Sequence, residues 1–349
     1  MAAHRIRQSN HKLHHIDPQG GCGTVYRFCN QISPHSFLRL SVDSAMIADP
    51  VAADRMSVPW WSLANVLSLD AVAIGWMWHW VFTCEFCRRY PTLPESGIIV
   101  LSIWLVYTAE RLFDSLRLDR GRPHTLRHRI HFEFRNAFVF AWIAALTIDL
   151  VLILRYATEA QLRWGYVAIA IVLAYVAGVH AARPVRRWIP KELQAGMVFA
   201  FGVSLSSWSE SNVADMMVLL LSTLMAGVLF AANCLSVACW ERECDSSQGF
   251  GSWVTQYPNR PSWLPSALIC HLLVSASMWV THALPPLITT CLVFSDLLLL
   301  VVLVASAGRE SSVRASWMAV ASASPFGVVA DAALVIPPTV WLVLGSTLQ

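Results

Sequence analysis

The chain has few charged residues for its length: Asp, Glu, Lys and Arg together make up 13% of its 349 residues. A water-soluble domain carries roughly twice that share of charge. Hydrophobic residues account for 56% of the chain, and the mean hydropathy is +0.52. Because the apolar residues come in long runs, the sequence predicts a polytopic membrane protein and excludes an ordinary water-soluble enzyme.

Other features are scarce as well. No strongly basic domain is present, so the composition does not indicate nucleic-acid binding. The nine cysteines do not form a disulfide framework, and four of them (Cys234, Cys239, Cys270 and Cys291) fall within predicted spans where a thiol serves as a small hydrophobe. Cys84 and Cys87 form a lone Cys-x-x-Cys pair without a second pair, which does not favour a metal site. No hydrophobic segment of a signal peptide follows the basic start.

The chain divides into two parts by composition. Residues 1–58 are polar and are predicted to form a flexible cytoplasmic tail, whereas residues 59–349 are predicted to form an all-α transmembrane domain. Nine segments of that domain are long enough, or nearly so, to cross a bilayer as helices. The predicted spans are Pro59–Phe82, Ser96–Leu118, Phe132–Tyr156, Leu162–Ala182, Leu193–Ser207, Val213–Trp240, Trp263–His282, Leu287–Ala307 and Ala319–Leu344.

The distribution of basic residues predicts the topology. With a cytoplasmic N-terminal tail, the loops after the second, fourth, sixth and eighth spans are also cytoplasmic, and these loops hold most of the arginines. The opposite loops hold only Arg88, Arg89, Arg155 and Arg163. This is the positive-inside pattern. We therefore expect a multi-pass protein of a bacterial cytoplasmic membrane with its active site on the cytoplasmic side.

Two pairs of acidic residues end two of the predicted spans. Glu110 and Asp114 end the second span, and Glu241 and Asp245 end the sixth, each pair with the same spacing of four residues. On a helix, residues four apart project from one face. Carboxylates at the end of an apolar segment are costly unless a cation compensates them. Since both pairs are predicted on one side of the membrane, they can form a single site.

Carboxylate oxygens are the ligands that Mg²⁺ requires, and Mg²⁺ often shares them with substrate phosphates. Nearby guanidinium and ammonium groups bind phosphate oxygens. With a diphosphate as leaving group, such a site permits ionisation of an allylic carbon without a protein nucleophile, and the membrane location favours a lipid tail. The residues predicted to contact phosphate are Arg127, Arg129, Arg187 and Lys191.

These segments resemble those of the UbiA superfamily of intramembrane prenyltransferases. The segments Glu110-Arg-Leu-Phe-Asp114 and Glu241-Arg-Glu-Cys-Asp245 resemble the family's two acidic motifs, and Pro184–Gly196 followed by Phe201-Gly202 resembles its basic-then-glycine segment. The resemblance covers roughly Pro59–Leu344. It implies a UbiA-like bundle of nine helices around a central cavity, with Mg²⁺ as cofactor.

The resemblance further implies a transfer of a prenyl group from a polyprenyl diphosphate to an acceptor that the sequence does not identify. The expected catalytic and metal-binding residues are Glu110, Asp114, Glu241 and Asp245, and Asn233 is expected to contact substrate. Membrane lipids are the other expected partners; neither a nucleic acid nor a protein partner is predicted. Asp70 and Asp331, which lie within predicted spans, are interpreted as structural.

The first motif departs from the family pattern, because Val106 and Tyr107 stand where an Asn and an Asp usually open it. Each acidic pair also begins with Glu in place of Asp. Two alternatives therefore stay open. One is a terpene cyclase or prenyl-diphosphate hydrolase of the same superfamily. The other is a non-catalytic membrane protein that binds or transports lipid.

Overall fold

Helices make up nearly all of the structure. The computed structural model describes residues 59–119, 121–122, 124–181, 190–212, 215–256, 262–307 and 325–347. Every regular element in these ranges is a helix, which confirms the all-α prediction. The predicted N-terminal tail, residues 1–58, lies outside the described residues.

The described helices follow a short 3₁₀ turn at Trp60–Ser62. They are α1 (Leu63–Val66), α2 (Leu69–Phe86), α3 (Leu93–Ser115), α4 (Leu126–Glu133), α5 (Arg135–Tyr156), α6 (Glu159–Ala181), α7 (Lys191–Val203), α8 (Leu205–Glu210), α9 (Met216–Gln248), α10 (Trp253–Gln256), α11 (Leu264–Val280), α12 (Pro286–Ala307) and α13 (Pro325–Thr347).

Six of these helices are long and apolar enough to cross a membrane: α3, α5, α6, α9, α12 and α13. Trp60–Val66 and Leu69–Phe86 together would make a seventh span, but they are bent by 71°. Helix α11 has only 17 residues, and α7 and α8 are separated by Ser204. The chain is therefore a multi-pass membrane protein by length and composition. Each predicted span has a helical counterpart in the structure, but the nine membrane crossings stay a prediction.

The bend before α2 has a local cause. Ser68 adopts a left-handed conformation with φ of 58°, which turns the chain between α1 and α2. The Asp70 carboxylate stabilises the turn, because it accepts hydrogen bonds from Asn65 Nδ2 at 2.7 Å and from the backbone N–H of Ala71 at 2.8 Å. Such a bonded carboxylate near a helix N-terminus also interacts favourably with the helix dipole. The bend thus places a charged side chain at the start of a span.

Helix α9 occupies the centre of the bundle. It has 33 residues, and most of its apolar stretch is buried by neighbouring helices. Its closest neighbour is α7, and small residues make their close approach possible. A Cβ atom on Gly196 would lie 2.5 Å from the backbone nitrogen of Ala231 and 2.6 Å from the carbonyl oxygen of Gly227. Small residues at helix crossings are typical of membrane bundles.

The other helices pack in a series of neighbours. Helix α5 contacts α3, α3 contacts α2, α2 contacts α13, α13 contacts α12, and α12 contacts α11, while α6 contacts α7. The apolar core lies among α2, α7, α9, α11, α12 and α13. Large apolar side chains of α5 and α6, such as Phe140, Leu154 and Leu173, are exposed and form an apolar outer surface suited to lipid. Charged side chains concentrate instead in a cavity between α2, α3, α7, α9 and α13.

Candidate functional site

A cavity of about 160 Å³ lies inside the bundle, with charged and polar groups along much of its wall. Helices α2, α3, α4, α6, α7, α9 and α13 all contribute to the wall. Its charged lining residues are Asp70, Glu110, Arg111, Arg127, Lys191, Glu192, Glu241, Asp245 and Asp331. Buried charges within a membrane-spanning bundle are costly and usually mark a functional site.

The loop after α3 holds the two acidic segments together. Asp119 N–H donates to Gln248 Oε1 at 2.9 Å, and Gln248 Nε2 donates to the carbonyl oxygen of Asp119 at 2.9 Å. Arg122 donates to the carbonyl oxygen of Ser247 at 3.0 Å. The C-terminal ends of α3 and α9 therefore meet at one end of the bundle. This meeting is what the prediction of a single site required.

Helix α9 ends with a left-handed glycine. Gly249 has φ of 70°, and the N–H of Phe250 bonds to the carbonyl oxygen of Asp245 at 2.9 Å. This pattern satisfies carbonyl groups at the end of a helix and turns the chain sharply. The turn brings Phe250 against His128, with 5.1 Å between the ring centroids. The segment after α9 therefore closes over α4 and the edge of the cavity.

The two acids of the α3 pair have different surroundings. Glu110 lines the cavity. Asp114 is not among the described lining residues; its Oδ2 lies 3.7 Å from His128 Nε2, on the side of α4. Arg111 lies within electrostatic range of both acids. The structure therefore brings Glu110 to the predicted site and leaves Asp114 beside it.

Both acids of the α9 pair line the cavity. Glu241 is buried and forms an ion pair with Arg127 of α4. Asp245 lies near Lys191, Arg127 and Arg111 as compensating charges. The predicted grouping of Glu110, Glu241 and Asp245 with Arg127 and Lys191 therefore appears in the structure as one cavity wall.

One of the predicted phosphate ligands, Arg129, lies away from this wall. Arg129 donates to Glu133 Oε1 at 2.8 Å on its own helix, and it lines a separate depression with Leu118, His124 and Phe132. Arg187 lies outside the described residues. Arg111, which the sequence analysis did not assign to phosphate, takes a place in the cavity wall. Its position next to Glu110 in the sequence was the signal that could have identified it.

The inner part of the cavity contains acids that the sequence analysis interpreted as structural. Asp331 Oδ1 accepts a hydrogen bond from Asn233 Nδ2 at 2.8 Å, and the Asp70 side chain lies beside Asp331. All three residues line the cavity. Asn233, which was expected to contact substrate, is thus at the cavity wall. The polar character of Asp70 and Asp331 within apolar spans was the available signal.

Helix α4 buries two neutral histidines beside the cavity. Burial lowers the pKa of His128 to about 4, although Asp114 opposes this change by favouring the protonated ring. Burial likewise lowers the pKa of His131 to about 4, against the hydrogen bond that its Nδ1 makes with the carbonyl oxygen of Arg127. His131 also stacks on Phe138, with 4.1 Å between ring centroids. Both rings are therefore uncharged at neutral pH and serve to position α4.

Aromatic rings form part of the apolar wall. Phe199 of α7 packs edge-on against Phe230 of α9 at 5.0 Å and against Tyr107 of α3 at 6.0 Å, measured between ring centroids. All three side chains line the cavity. The cavity therefore offers π faces next to its charged groups, an arrangement that suits a ligand with a charged head and an unsaturated tail.

The carboxyl groups of the cavity wall offer oxygen atoms as metal ligands. Within the described ranges, no three side chains of His, Cys, Asp or Glu converge as a ready-made metal site. The cavity nevertheless contains six carboxyl groups and three basic groups among its described lining residues, so its net charge is negative. Oxygen-rich, negatively charged walls fit Mg²⁺.

The chain matches no protein-family model, no curated protein and no solved structure.

Proposed function

We propose that this protein transfers a prenyl group from a polyprenyl diphosphate to an acceptor, within the membrane and with Mg²⁺. The observation that carries the proposal is the shared cavity. Glu110 from the end of α3 and Glu241 and Asp245 from the end of α9 line it together with Arg111, Arg127 and Lys191. Acids and bases concentrated inside an apolar bundle suit a polyvalent anion that is held with metal ions and attached to a lipid tail.

The size of the cavity supports an amphiphilic substrate. Sites for drug-sized ligands measure roughly 300–1,000 Å³, whereas this cavity measures about 160 Å³. That volume holds a diphosphate head with its metal ion but not a long isoprenoid chain. The tail must therefore extend from the head between helices, past apolar residues such as Phe199 and Phe230.

The charge balance explains why the diphosphate needs a metal. Six carboxyl groups outnumber three basic groups in the described wall, so a free diphosphate is repelled. Glu110 and Asp245 are the motif acids that would hold Mg²⁺, since the Glu241 carboxylate is bound by Arg127. When bound, Mg²⁺ stabilises the negative charge that develops on the departing oxygens.

The basic residues have complementary tasks. Arg127 is buried, and its Nε finds no hydrogen-bond partner among the described residues although its Nη2 binds Glu241. A fixed guanidinium with an unused donor is suited to a phosphate oxygen. Arg111 and Lys191 add positive charge around the same space. Together these groups favour charge separation between the diphosphate and the allylic carbon.

Cyclisation or hydrolysis of the same diphosphate uses the same head-group site. In these reactions no separate prenyl acceptor enters. In cyclisation the carbocation adds to a double bond of its own chain and the resulting cation loses a proton, whereas in hydrolysis water adds to the carbocation and loses a proton. The products distinguish the reactions: an isoprenoid alcohol or a cyclic hydrocarbon formed without an added acceptor favours this alternative.

A transporter of lipid or of ions is the second class of function, and the broken helices favour it. The α1–α2 pair is bent by 71°, α7 and α8 are separated at Ser204, and Asn233 lies in the middle of α9. Discontinuous helices with polar groups between them are typical of transporters. Such a protein moves its substrate across the vesicle membrane and does not cleave a prenyl diphosphate.

The deciding experiment incubates purified protein with radiolabelled prenyl diphosphates of several chain lengths, Mg²⁺ and a membrane-lipid extract as the acceptor source. We expect diphosphate release with Mg²⁺ and none with EDTA. Asp245→Asn and Glu110→Gln should reduce the rate by at least about a hundredfold, because both acids are assigned to the metal.

Glu133→Gln is the matched control, since Glu133 lies next to the site on α4 but bonds to Arg129 outside the cavity. Its rate should stay within about twofold of the wild type, as expected for a surface ion pair. The proposal is contradicted if folded protein releases no diphosphate from a prenyl diphosphate of any chain length. If the same protein moves labelled lipid across a vesicle membrane, the result favours transport.

A further inference from the structure

The inner wall of the cavity is built from oxygen acceptors. Asp70 and Asp331 come from α2 and α13, and Asn233 comes from the middle of α9. The two carboxyl groups lie beside each other, and each accepts a hydrogen bond from an asparagine amide: Asp70 from Asn65 and Asp331 from Asn233. Three distant parts of the chain therefore place their oxygens at one point.

The asparagine contributes an unused oxygen to this point. Asn233 is only 6% exposed, and its Nδ2 is committed to Asp331. Its Oδ1 is buried, and no donor reaches it from the described part of the chain. A buried amide oxygen without a partner costs about 1–3 kcal/mol, unless a ligand supplies the missing contact. The missing partner must be a hydrogen-bond donor or a cation, because the atom can only accept.

Protein cations do not neutralise the two carboxyl groups directly. Across the described ranges, no Lys or Arg forms an ion pair with Asp70 or Asp331. Arg111 and Arg127 act on them only at longer range. By contrast, Glu241 is bound directly by Arg127. The inner acids are therefore more available to a metal ion than Glu241 is.

The inner group is separate from the acids at the end of α9. Asn233 precedes Glu241 by eight residues on the same helix, which corresponds to about 12 Å along the axis. That distance is several times a metal–oxygen bond of about 2.0–2.6 Å. One ion cannot be coordinated by both Asn233 and Glu241.

We propose that Asp70, Asp331 and the Oδ1 of Asn233 form a binding site for a hard divalent cation, distinct from Glu241 and Asp245 at the end of α9. A bound divalent ion displaces the protons of its carboxyl ligands, and two carboxylates then match its charge of +2. An all-oxygen set of two carboxylates and one amide carbonyl is the chemistry that Mg²⁺, Mn²⁺ and Ca²⁺ prefer. The ion would satisfy the unpaired oxygen and join α2, α9 and α13. The inference extends beyond the proposed reaction, since it holds for a transporter as well.

The test is cation binding by the purified protein in detergent, without any prenyl substrate. After treatment with EDTA, the protein is titrated with Mn²⁺, Mg²⁺ or Ca²⁺; bound Mn²⁺ is counted by electron paramagnetic resonance, and thermal stability is measured in parallel. We expect at least one tight ion and a rise in melting temperature. Asp70→Asn and Asp331→Asn should weaken that binding by at least about tenfold.

A gain-of-function variant keeps the test decisive if the neutral variants fold poorly. Asn233→Asp places a third carboxylate in the group. The melting temperature of this variant should fall in EDTA and rise in Mn²⁺, and both changes should be larger than those of the wild type. Asp149→Asn is the matched control, because Asp149 is also a buried aspartate of a span but bonds to Ser102 away from the cavity. It should bind Mn²⁺ as the wild type does.

The remaining outcomes separate this inference from the proposed function. If Glu241→Gln and Asp245→Asn abolish prenyl turnover but keep the inner ion, both proposals stand. If these two variants lose all bound Mn²⁺ while Asp70→Asn keeps it, the inner site is overturned. A wild-type protein that binds no divalent ion, with Asp70→Asn more stable than the wild type, also overturns it, because the two carboxyl groups then share a proton.

Discussion

The ion pair between Arg127 and Glu241 joins residues that are 114 positions apart in the chain. Both side chains are about nine-tenths buried. Removing one member of a buried pair leaves an uncompensated charge and costs roughly 3–5 kcal/mol, whereas replacing both with apolar residues is often neutral. We therefore expect Arg127→Met and Glu241→Met each to destabilise the protein strongly, and the double variant to recover most of the loss in denaturant unfolding.

The exposed pair of Arg129 and Glu133 provides the control, since it has a similar geometry at 2.8 Å but remains in contact with solvent. Arg129→Met should change the free energy of unfolding by no more than about 1 kcal/mol. An Arg127→Met variant that is no less stable than Arg129→Met would contradict the role assigned to the buried pair.

The sequence predicted the spacing of Glu110 and Asp114 but not the neighbours of their side chains. The four-residue spacing of Glu110 and Asp114 correctly places them on one side of α3, but only Glu110 lines the cavity. His128, which approaches from a different helix, lies next to Asp114. A periodic pattern fixes the angle of a side chain around its own helix. It does not determine which neighbour will meet that side chain.

At the scale of elements, the contact between α7 and α9 depends on glycine. Gly196→Ala would place a methyl group within 2.5–2.8 Å of backbone atoms of α9, so the two helices must separate. Because α7 and α9 carry Lys191, Glu192, Glu241 and Asp245, this separation also widens the cavity. We expect a lower melting temperature and weaker binding of Mn²⁺ for Gly196→Ala.

Gly202→Ala is the matched control on the same helix, because no atom of another described helix lies within 4 Å of the added methyl group. Alanine is a better helix former than glycine by about 1 kcal/mol, so this variant should be as stable as the wild type or more stable. Equal melting temperatures for the two variants would argue against the close contact of α7 and α9.

Because His128 of α4 is buried, the stability of the protein is expected to depend on pH. Burial lowers the pKa of His128 from its ordinary value of 6.5 to about 4. The unfolded chain therefore binds a proton before the folded chain does, and its protonation favours unfolding. Stability is fully present above pH 6.5 and should decline as the pH falls toward 4, by up to about 3 kcal/mol for this group.

The measurement is thermal unfolding in detergent between pH 4 and pH 8. His128→Phe keeps an aromatic ring against Phe250 but removes the titrating group, so its stability should depend less steeply on pH. A variant with the same pH dependence as the wild type would show that His128 does not carry the effect. His131→Phe separates the contribution of the second histidine, whose pKa burial also lowers to about 4.

For the whole molecule, the positive-inside pattern predicts opposite sides for the two ends of the bundle. Asp119 lies in the exposed loop beside the cavity, and Glu159 lies exposed at the start of α6. In a variant without the native cysteines, Asp119→Cys should react with an impermeant maleimide only from the cytoplasmic side. Glu159→Cys should react only from the opposite side, and labelling of both from one side would contradict the topology.

The sequence by itself determined the structural class of this protein. Its low charge, its apolar runs and the spacing of its acidic pairs predicted an all-α membrane domain with polar groups at helix ends, because these properties depend on composition and on a fixed helical period. The number of spans stays a prediction. Among the described helices six are long and apolar enough to cross a membrane, because breaks at Ser68 and Ser204 interrupt two apolar runs and α11 has only 17 residues.

Only the tertiary structure decided which charges meet. Asn233 and Asp331 are 98 residues apart, yet they share a hydrogen bond, and Asp70 joins them from the first long helix. Asp114 and Arg129, by contrast, belong to the predicted motifs but do not line the cavity in the described structure. The reason is physical: each helix sets its own periodicity locally, whereas its rotation and depth against other helices result from packing across the whole bundle.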